Sequence, residues 1–121
     1  MKFIEDLGID LDVRGYRLLV RAPITPEKLK SGLYLPDDHL AQNAKDAVVG
    51  KVLAIGPGCF TTPSLVDSRV NEGEWIVYSK YERELFTLTR DTQKIFCYFI
   101  NDDRVLARMD GSTVERLFGG N

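Results

Sequence analysis

Apolar side chains fall along this chain in short runs with two rhythms. From Leu7 to Val13 they alternate: Leu7, Ile9, Leu11 and Val13 are separated by Gly8, Asp10 and Asp12. A period of two is the mark of a strand with one buried face. Other runs are apolar at consecutive positions. Tyr16–Arg21 reads as a strand ended by Ala22-Pro23, since proline cannot extend a central ladder. Val48–Ile55 is β-branched and apolar on both faces, which predicts a central strand, and Gly56-Pro57-Gly58 stops it in a turn. Trp75–Lys80, Glu84–Thr89, Lys94–Ile100 and Arg104–Met109 complete the set, with turns at Glu72-Gly73-Glu74, Tyr81-Glu82-Arg83, Arg90–Gln93 and Asn101-Asp102-Asp103. Short strands at regular spacing predict an all-β barrel or sandwich. The tail differs. Ser112 with Glu115 three residues later forms a capping box and Gly119 suits a helix stop, so one or two helical turns are expected there.

The pattern breaks between residues 22 and 47. Pro23, Pro26, Gly32 and Pro36 fall in this polar stretch, and Leu40–Ala47 has room for a helical turn. A connection this long in a compact domain is functional or disordered. Within it stand Ser31-Gly32-Leu33-Tyr34-Leu35-Pro36, three large apolar residues with polar flanks. They have two readings: an anchor in the chain's own core, or a key kept for the groove of another protein. A second polar connection spans residues 59–71.

Composition narrows the partners. The 121 residues carry 16 basic and 18 acidic side chains, a net charge of −2, which speaks against nucleic acid as the main partner. No apolar run approaches a membrane span, and the first residues lack the apolar block of a signal peptide. Length predicts one domain, residues 1–121. Cys59 and Cys97 read as buried or half-buried thiols of a cytoplasmic protein rather than as a disulfide. No converging set of catalytic groups can be assembled. His39 has Asp37 and Asp38 beside it but no second histidine or cysteine at ligand spacing. Gly56-Pro57-Gly58 lacks the third glycine of a dinucleotide fingerprint. Glu72, Glu74, Glu82 and Glu84 read as solvated carboxylates. The aromatics Tyr78, Tyr81, Phe86, Phe96, Tyr98 and Phe99 could stack bases, but their alternation favours core packing. The expectation is therefore a non-enzyme without cofactor or metal.

The order of the pieces is specific. Arg17-Leu18-Leu19-Val20-Arg21 comes first, then the Gly32–Pro36 loop and Gly50–Gly58. Val70-Asn71-Glu72-Gly73-Glu74-Trp75-Ile76-Val77-Tyr78-Ser79-Lys80-Tyr81 follows, and Val105-Leu106-Ala107 closes. This resembles the co-chaperonin family, the GroES-like small subunit that caps a group I chaperonin, over roughly residues 14–109. The family's pattern is an R-x-hydrophobic-V-x-R strand, G-G-I-x-L-P, G-x-V-x-A-x-G-x-G, V-x-x-G-D-x-V-x-Y-x-K-Y and D-x-L-A. The chain departs from it at Leu33-Tyr34-Leu35, where aliphatics are usual, at Gly73-Glu74 in place of G-D, and at Asp103–Ala107. It also extends beyond the pattern at both ends. Such departures resemble those of a divergent, phage-encoded member.

The resemblance implies a GroES-like small β-barrel with a mobile loop (22–47), a roof loop (59–71) that closes a dome, and a C-terminal tail (110–121). It implies a ring of identical subunits, a heptamer, in the cytoplasm (the host's, for a phage protein). Gly32, Leu33, Tyr34, Leu35 and Pro36 would bind the apical domains of the chaperonin large subunit in a nucleotide-dependent cycle that encloses unfolded client proteins, with ATP hydrolysed on the chaperonin. Tyr34, bulkier than an aliphatic, would lie at the groove's rim. Tyr81 would face the dome interior or simply pack at a strand end. Leu11, Val13 and Leu18 of one subunit would meet Val105, Leu106 and Ala107 of the next. Three alternatives stand beside this reading: a virion structural or assembly protein using the same barrel, a small nucleic-acid-binding barrel, and an enzyme barrel related to zinc alcohol dehydrogenases, which the missing ligands oppose.

Overall fold

The computed structural model describes residues 1–22 and 47–116. These form strands β1 (Lys2–Ile4), β2 (Ile9–Leu11), β3 (Arg17–Arg21), β4 (Ala47–Ile55), β5 (Trp75–Ser79), β6 (Glu84–Arg90), β7 (Gln93–Asn101) and β8 (Val105–Met109). Single 3-10 turns lie at Val66–Ser68 and Asp102–Arg104, and a short helix, α1, spans Gly111–Val114. The main sheet has six antiparallel strands in the order β6-β7-β3-β4-β5-β8, and β1-β2 is a separate hairpin. The all-β class follows as the runs predicted, and β4 is central between β3 and β5.

Both faces of the sheet are buried, which is why its middle strands read as continuous apolar runs. On β3, Leu18 and Val20 enter one cluster and Leu19 the other. On β7, Tyr98 and Ile100 face the first cluster while Ile95 and Cys97 face the second. The first, inner cluster also holds Val52, Ile76, Tyr78 and, from β8, Val105. β7 and β8 are four places apart in the sheet yet share this cluster, so the sheet curls around it. The second, outer cluster contains Ile4, Leu7 and Val13 from the N-terminal residues, with Leu53 and Ala54 from β4. A register shift opposite Leu19 and Val20 places one extra residue of β4 there. A bulge of this kind lets Val52 face inward while Leu53 and Ala54 face outward.

Three local outcomes differ from the sequence reading. The alternation from Leu7 to Val13 yields strand only at Ile9–Leu11, and β1 pairs with it through Lys2↔Leu11, Phe3↔Asp10 and Ile4↔Ile9. The chain reverses at Gly8, whose φ of +70° suits glycine. The short helix starts from Asp110, in extended conformation, instead of Ser112. Asp110 O accepts the Thr113 and Val114 N–H groups at 3.0 and 3.1 Å, and Ser112 Oγ donates to the Asp110 carboxylate. The Asp110 side chain makes no capping hydrogen bond of its own, so the start is set by the backbone. The β6–β7 reversal uses Asp91 and Thr92, both at positive φ (53° and 65°). This is the turn that matches strand twist, although neither residue is a glycine.

Candidate partner-binding face

Because β3 and β4 are antiparallel neighbours, the chain leaves β3 and re-enters β4 at the same end of the sheet. At this end the Ala22 N–H donates to Phe96 O at 3.1 Å, and Ala22 and Val48 pack against the inner cluster. Gly32, Leu33, Tyr34, Leu35 and Pro36, His39 and the possible helical turn at Leu40–Ala47 lie outside the described residues, apart from Ala47, which opens β4. The β5–β6 turn belongs to this same end, since Ala47 pairs with Ser79. Tyr81 is half exposed there. Its N–H donates to Ser79 Oγ at 3.1 Å, and the Arg104 guanidinium lies 5.7 Å from its ring centroid, within cation–π range. Arg104 also pairs with Glu82, and with Asp103 at 3.7 Å. The Arg83 guanidinium sits 3.8 Å over the Tyr98 ring.

The opposite end is built by the connection from β4 to β5. Gly56 N–H donates to Arg17 O at 2.8 Å and Gly58 N–H to Gly15 O at 2.9 Å. A Cβ on Gly56 would meet Gly15 O at 2.5 Å, so this backbone approach requires glycine. Residues 59–71 contain no strand, and the stretch expected as a polar roof loop carries three fully buried side chains, Cys59, Phe60 and Val70, with Leu65 packed on the same cluster. The polar average of the stretch concealed this, because most of its few apolar residues turn inward while Val66 stays exposed. Asp102, read from sequence as a plain turn residue, is buried. Its Oδ2 accepts the Phe60 N–H at 2.8 Å and its own N–H donates to Tyr16 O at 2.9 Å. Phe60 has φ +59°, and this carboxylate satisfies the N–H that the unusual backbone buries. An open depression of about 430 Å³ lies here between Tyr16, Thr62, Ser64 and Asp103.

Of the expected interface residues, Leu106 and Ala107 are exposed on β8, an edge strand. Leu106 is 61% exposed. It falls where Val77 pairs with Ala107 and Tyr78 with Val105, leaving it unopposed at a bulge. Val105 packs inward. Leu11 packs against the outer cluster and Val13 is buried in it. Leu18 is a correction: it is fully buried on a strand paired on both sides, with Ile55 and with Ile100. Such a strand has no free edge to offer a neighbour.

Both cysteines are free and buried. Burial pushes the Cys59 thiol up to about 11, with the nearby Asp102 charge adding to it. Burial likewise pushes Cys97 up to about 11, against the opposing pull of Arg21. These are protonated, weakly nucleophilic core thiols. Among the described residues no three His, Cys, Asp or Glu side chains are grouped so as to hold a metal ion, and no helix is long and apolar enough to cross a membrane.

Comparison with known proteins places this arrangement. Residues 12–109 match the sequence model of the family described as Chaperonin 10 Kd subunit. The chain is 41% identical over 69 residues to the Co-chaperonin GroES of Syntrophomonas wolfei, which is 55% of this chain and 68% of that protein. It is 32% identical over 65 residues to the Co-chaperonin GroES of Rhodothermus marinus (54% of this chain, 61% of that one). It is 34% identical over 68 residues to that of Symbiobacterium thermophilum (55% and 66%). The similarity thus spans about two thirds of the length of these relatives. β1, β2 up to its last residue and α1 lie outside the matched span, whereas β3 to β8 lie within it. With four fifths of the chain matched and the strands of the main sheet inside the match, the protein belongs to the chaperonin 10 kDa subunit family, the GroES-like co-chaperonins.

Proposed function

We propose that this chain is a co-chaperonin, a non-enzymatic lid that binds the apical domains of a group I chaperonin and closes its folding chamber over client proteins. The family match across residues 12–109 carries this reading. The contact residues are Gly32, Leu33, Tyr34, Leu35 and Pro36. Among the described residues the inner cluster draws on β3, β4, β5, β7 and the β4–β5 connection, and both roots of the segment lie at the end of the sheet away from the Gly56–Gly58 connection. Burying one large apolar side chain in a partner contributes roughly 1.5–3 kcal/mol. Ordering a backbone costs about 1–2 kcal/mol per residue, so one segment binds weakly. A ring converts the later contacts into intramolecular ones, and avidity exceeds single-site affinity by ~10²–10⁴. This makes the lid tight in sum and releasable in parts.

The subunits form a ring, a heptamer, through the open edge of β8. Leu106 and Ala107 are the available surface, and an edge strand calls for a partner or a cover. Residues 22–47 act as the chaperonin-binding loop, 59–71 close the dome's top, 110–121 form the tail, and Tyr81 faces the enclosed space. The site of action is the cytoplasm.

Pull-down by a group I chaperonin, with ADP or ATP and without nucleotide, tests the function. Nucleotide-dependent association supports it, and its absence overturns it. The variant Leu33→Asp with Leu35→Asp keeps the native mass of the assembled ring and loses chaperonin binding. A monomeric or unfolded variant would instead make the tripeptide part of the core. Native mass spectrometry of the wild type at seven times the subunit mass supports the heptamer.

A further inference from the structure

The hairpin of β1 and β2 covers the outer cluster without joining the main sheet. Among the described residues its backbone–backbone bonds stay within it: β1 pairs with β2, and the Leu7 and Gly8 N–H groups donate to Ile4 O at 3.1 and 2.8 Å. Side chains make the attachment. Ile4 and Leu7 are buried in the outer cluster, with Ile9 and Leu11 packed against it. Asp6 Oδ2 meets both Arg21 at 3.1 Å and Lys51 at 3.5 Å. Arg90 Nη1 donates to Glu5 O at 2.8 Å and to Asp6 O at 3.3 Å. The chain then passes through Asp12, exposed and outside any strand, to two fixed points. Val13 is buried in the outer cluster, and Gly15 O accepts the Gly58 N–H at 2.9 Å. The cover of the inner cluster is fastened differently. The connection from β4 to β5 has backbone bonds at both ends, Gly56 N–H to Arg17 O and Gly73 N–H to Val52 O, each 2.8 Å. A two-stranded hairpin is marginal by itself. Folded chains open in units that coincide with such motifs, at free energies below that of global unfolding.

We propose that residues 1–11 are a strap that swings off the outer face as one unit, turning at Asp12, while the six-stranded sheet and the inner cluster stay folded. Asp6 is its latch. Arg21 and Lys51 stand directly opposite each other on β3 and β4, and like charges in that position repel. The Asp6 carboxylate lies against both, so closing the strap relieves the repulsion and opening restores it. The inference rests on the described residues and not on the co-chaperonin reading.

The two cysteines report on the two covers. Cys97 belongs to the outer cluster and Cys59 to the inner one. Both are fully buried, and burial keeps both protonated, so each reacts only when its surroundings open. The test follows alkylation of each thiol by N-ethylmaleimide in the native full-length protein, resolved by peptide mass, across sub-denaturing urea. Cys97 is expected to react about tenfold or more faster than Cys59. Its rate also rises less steeply with urea, because a local opening exposes less surface. Asp6→Asn speeds Cys97 roughly fivefold and leaves Cys59 unchanged. Equal rates and equal urea slopes at the two thiols mean that the hairpin leaves only with the whole fold, and they overturn the proposal. Equal acceleration of both thiols by Asp6→Asn does the same. A Cys97 rate that Asp6→Asn does not move also overturns it, since the exposure then comes from another part of the chain. Should Asp6→Asn not fold, Arg90→Gln takes its place with the same criteria.

Discussion

The inner face of the curled sheet is covered by the connection from β4 to β5, and the outer face by the hairpin of β1 and β2. The inner cover is woven into the fold. Cys59, Phe60, Leu65 and Val70 insert into the cluster, the buried Asp102 holds Phe60, and Gly56 and Gly58 bind the backbone at Gly15 and Arg17. The outer cover is applied from the chain's end. Ile4 and Leu7 fill the cluster, and the rim is held by polar contacts: Asp6 with Arg21 and Lys51, and Arg90 Nη1 donating to Glu5 O at 2.8 Å. The inner cover falls within the span that matches the family, and the outer one lies almost wholly before it. The matched span thus contains the integrated cover and the sheet, whereas the hairpin that covers the apolar outer face at Leu19, Leu53 and Cys97 precedes it.

This contrast can be broken at either cover. Phe60→Ala has the largest expected effect. It removes a fully buried ring and leaves a cavity beneath a backbone at positive φ, costing about 3–5 kcal/mol in chemical denaturation. Leu7→Ala should cost somewhat less, about 2–4 kcal/mol, because the hairpin can settle onto the sheet. If Leu7→Ala matched or exceeded Phe60→Ala, the hairpin would be as integral as the β4–β5 connection.

The thiols sample one cluster each, Cys59 the inner and Cys97 the outer. Each is raised from 9.0 to about 11 in the folded chain. Above pH 9 the unfolded chain loses these protons while the folded chain keeps them, so their contribution is complete below pH 9 and is lost as pH climbs towards 11. Denaturant midpoints measured from pH 8 to 11 should fall, and less steeply in Cys59→Ala and in Cys97→Ala. An unchanged slope in both would show that neither thiol is buried as described. Smallest of all is Lys2→Ala. It deletes the 2.9 Å pair with Glu72 at the exposed hairpin rim, and a surface pair of this kind contributes at most about 1 kcal/mol.

Much of this was legible in the residues. Apolar runs located the strands of the main sheet, most plainly β3, β4 and β7, because middle strands buried on both faces need apolar side chains at consecutive positions. The motif order from Arg17 to Ala107 identified the family. Local chemistry marked the reversals, although the helix starts from Asp110 and the Ser112 hydroxyl bonds the Asp110 carboxylate instead of capping. Lys2–Ile4 escaped notice, since three residues with a single buried side chain make no pattern.

Sequence by itself thus determined the strands of the main sheet, their turns and the family, for these depend on spacing along the chain. Tertiary structure decided which side chains the curl encloses. Cys59, Phe60 and Val70 look like members of a polar connection until the sheet curls over them, and Asp102 looks like a turn residue until Phe60 presents its N–H. Burial and pairing are properties of neighbours distant in sequence, and no local pattern encodes them.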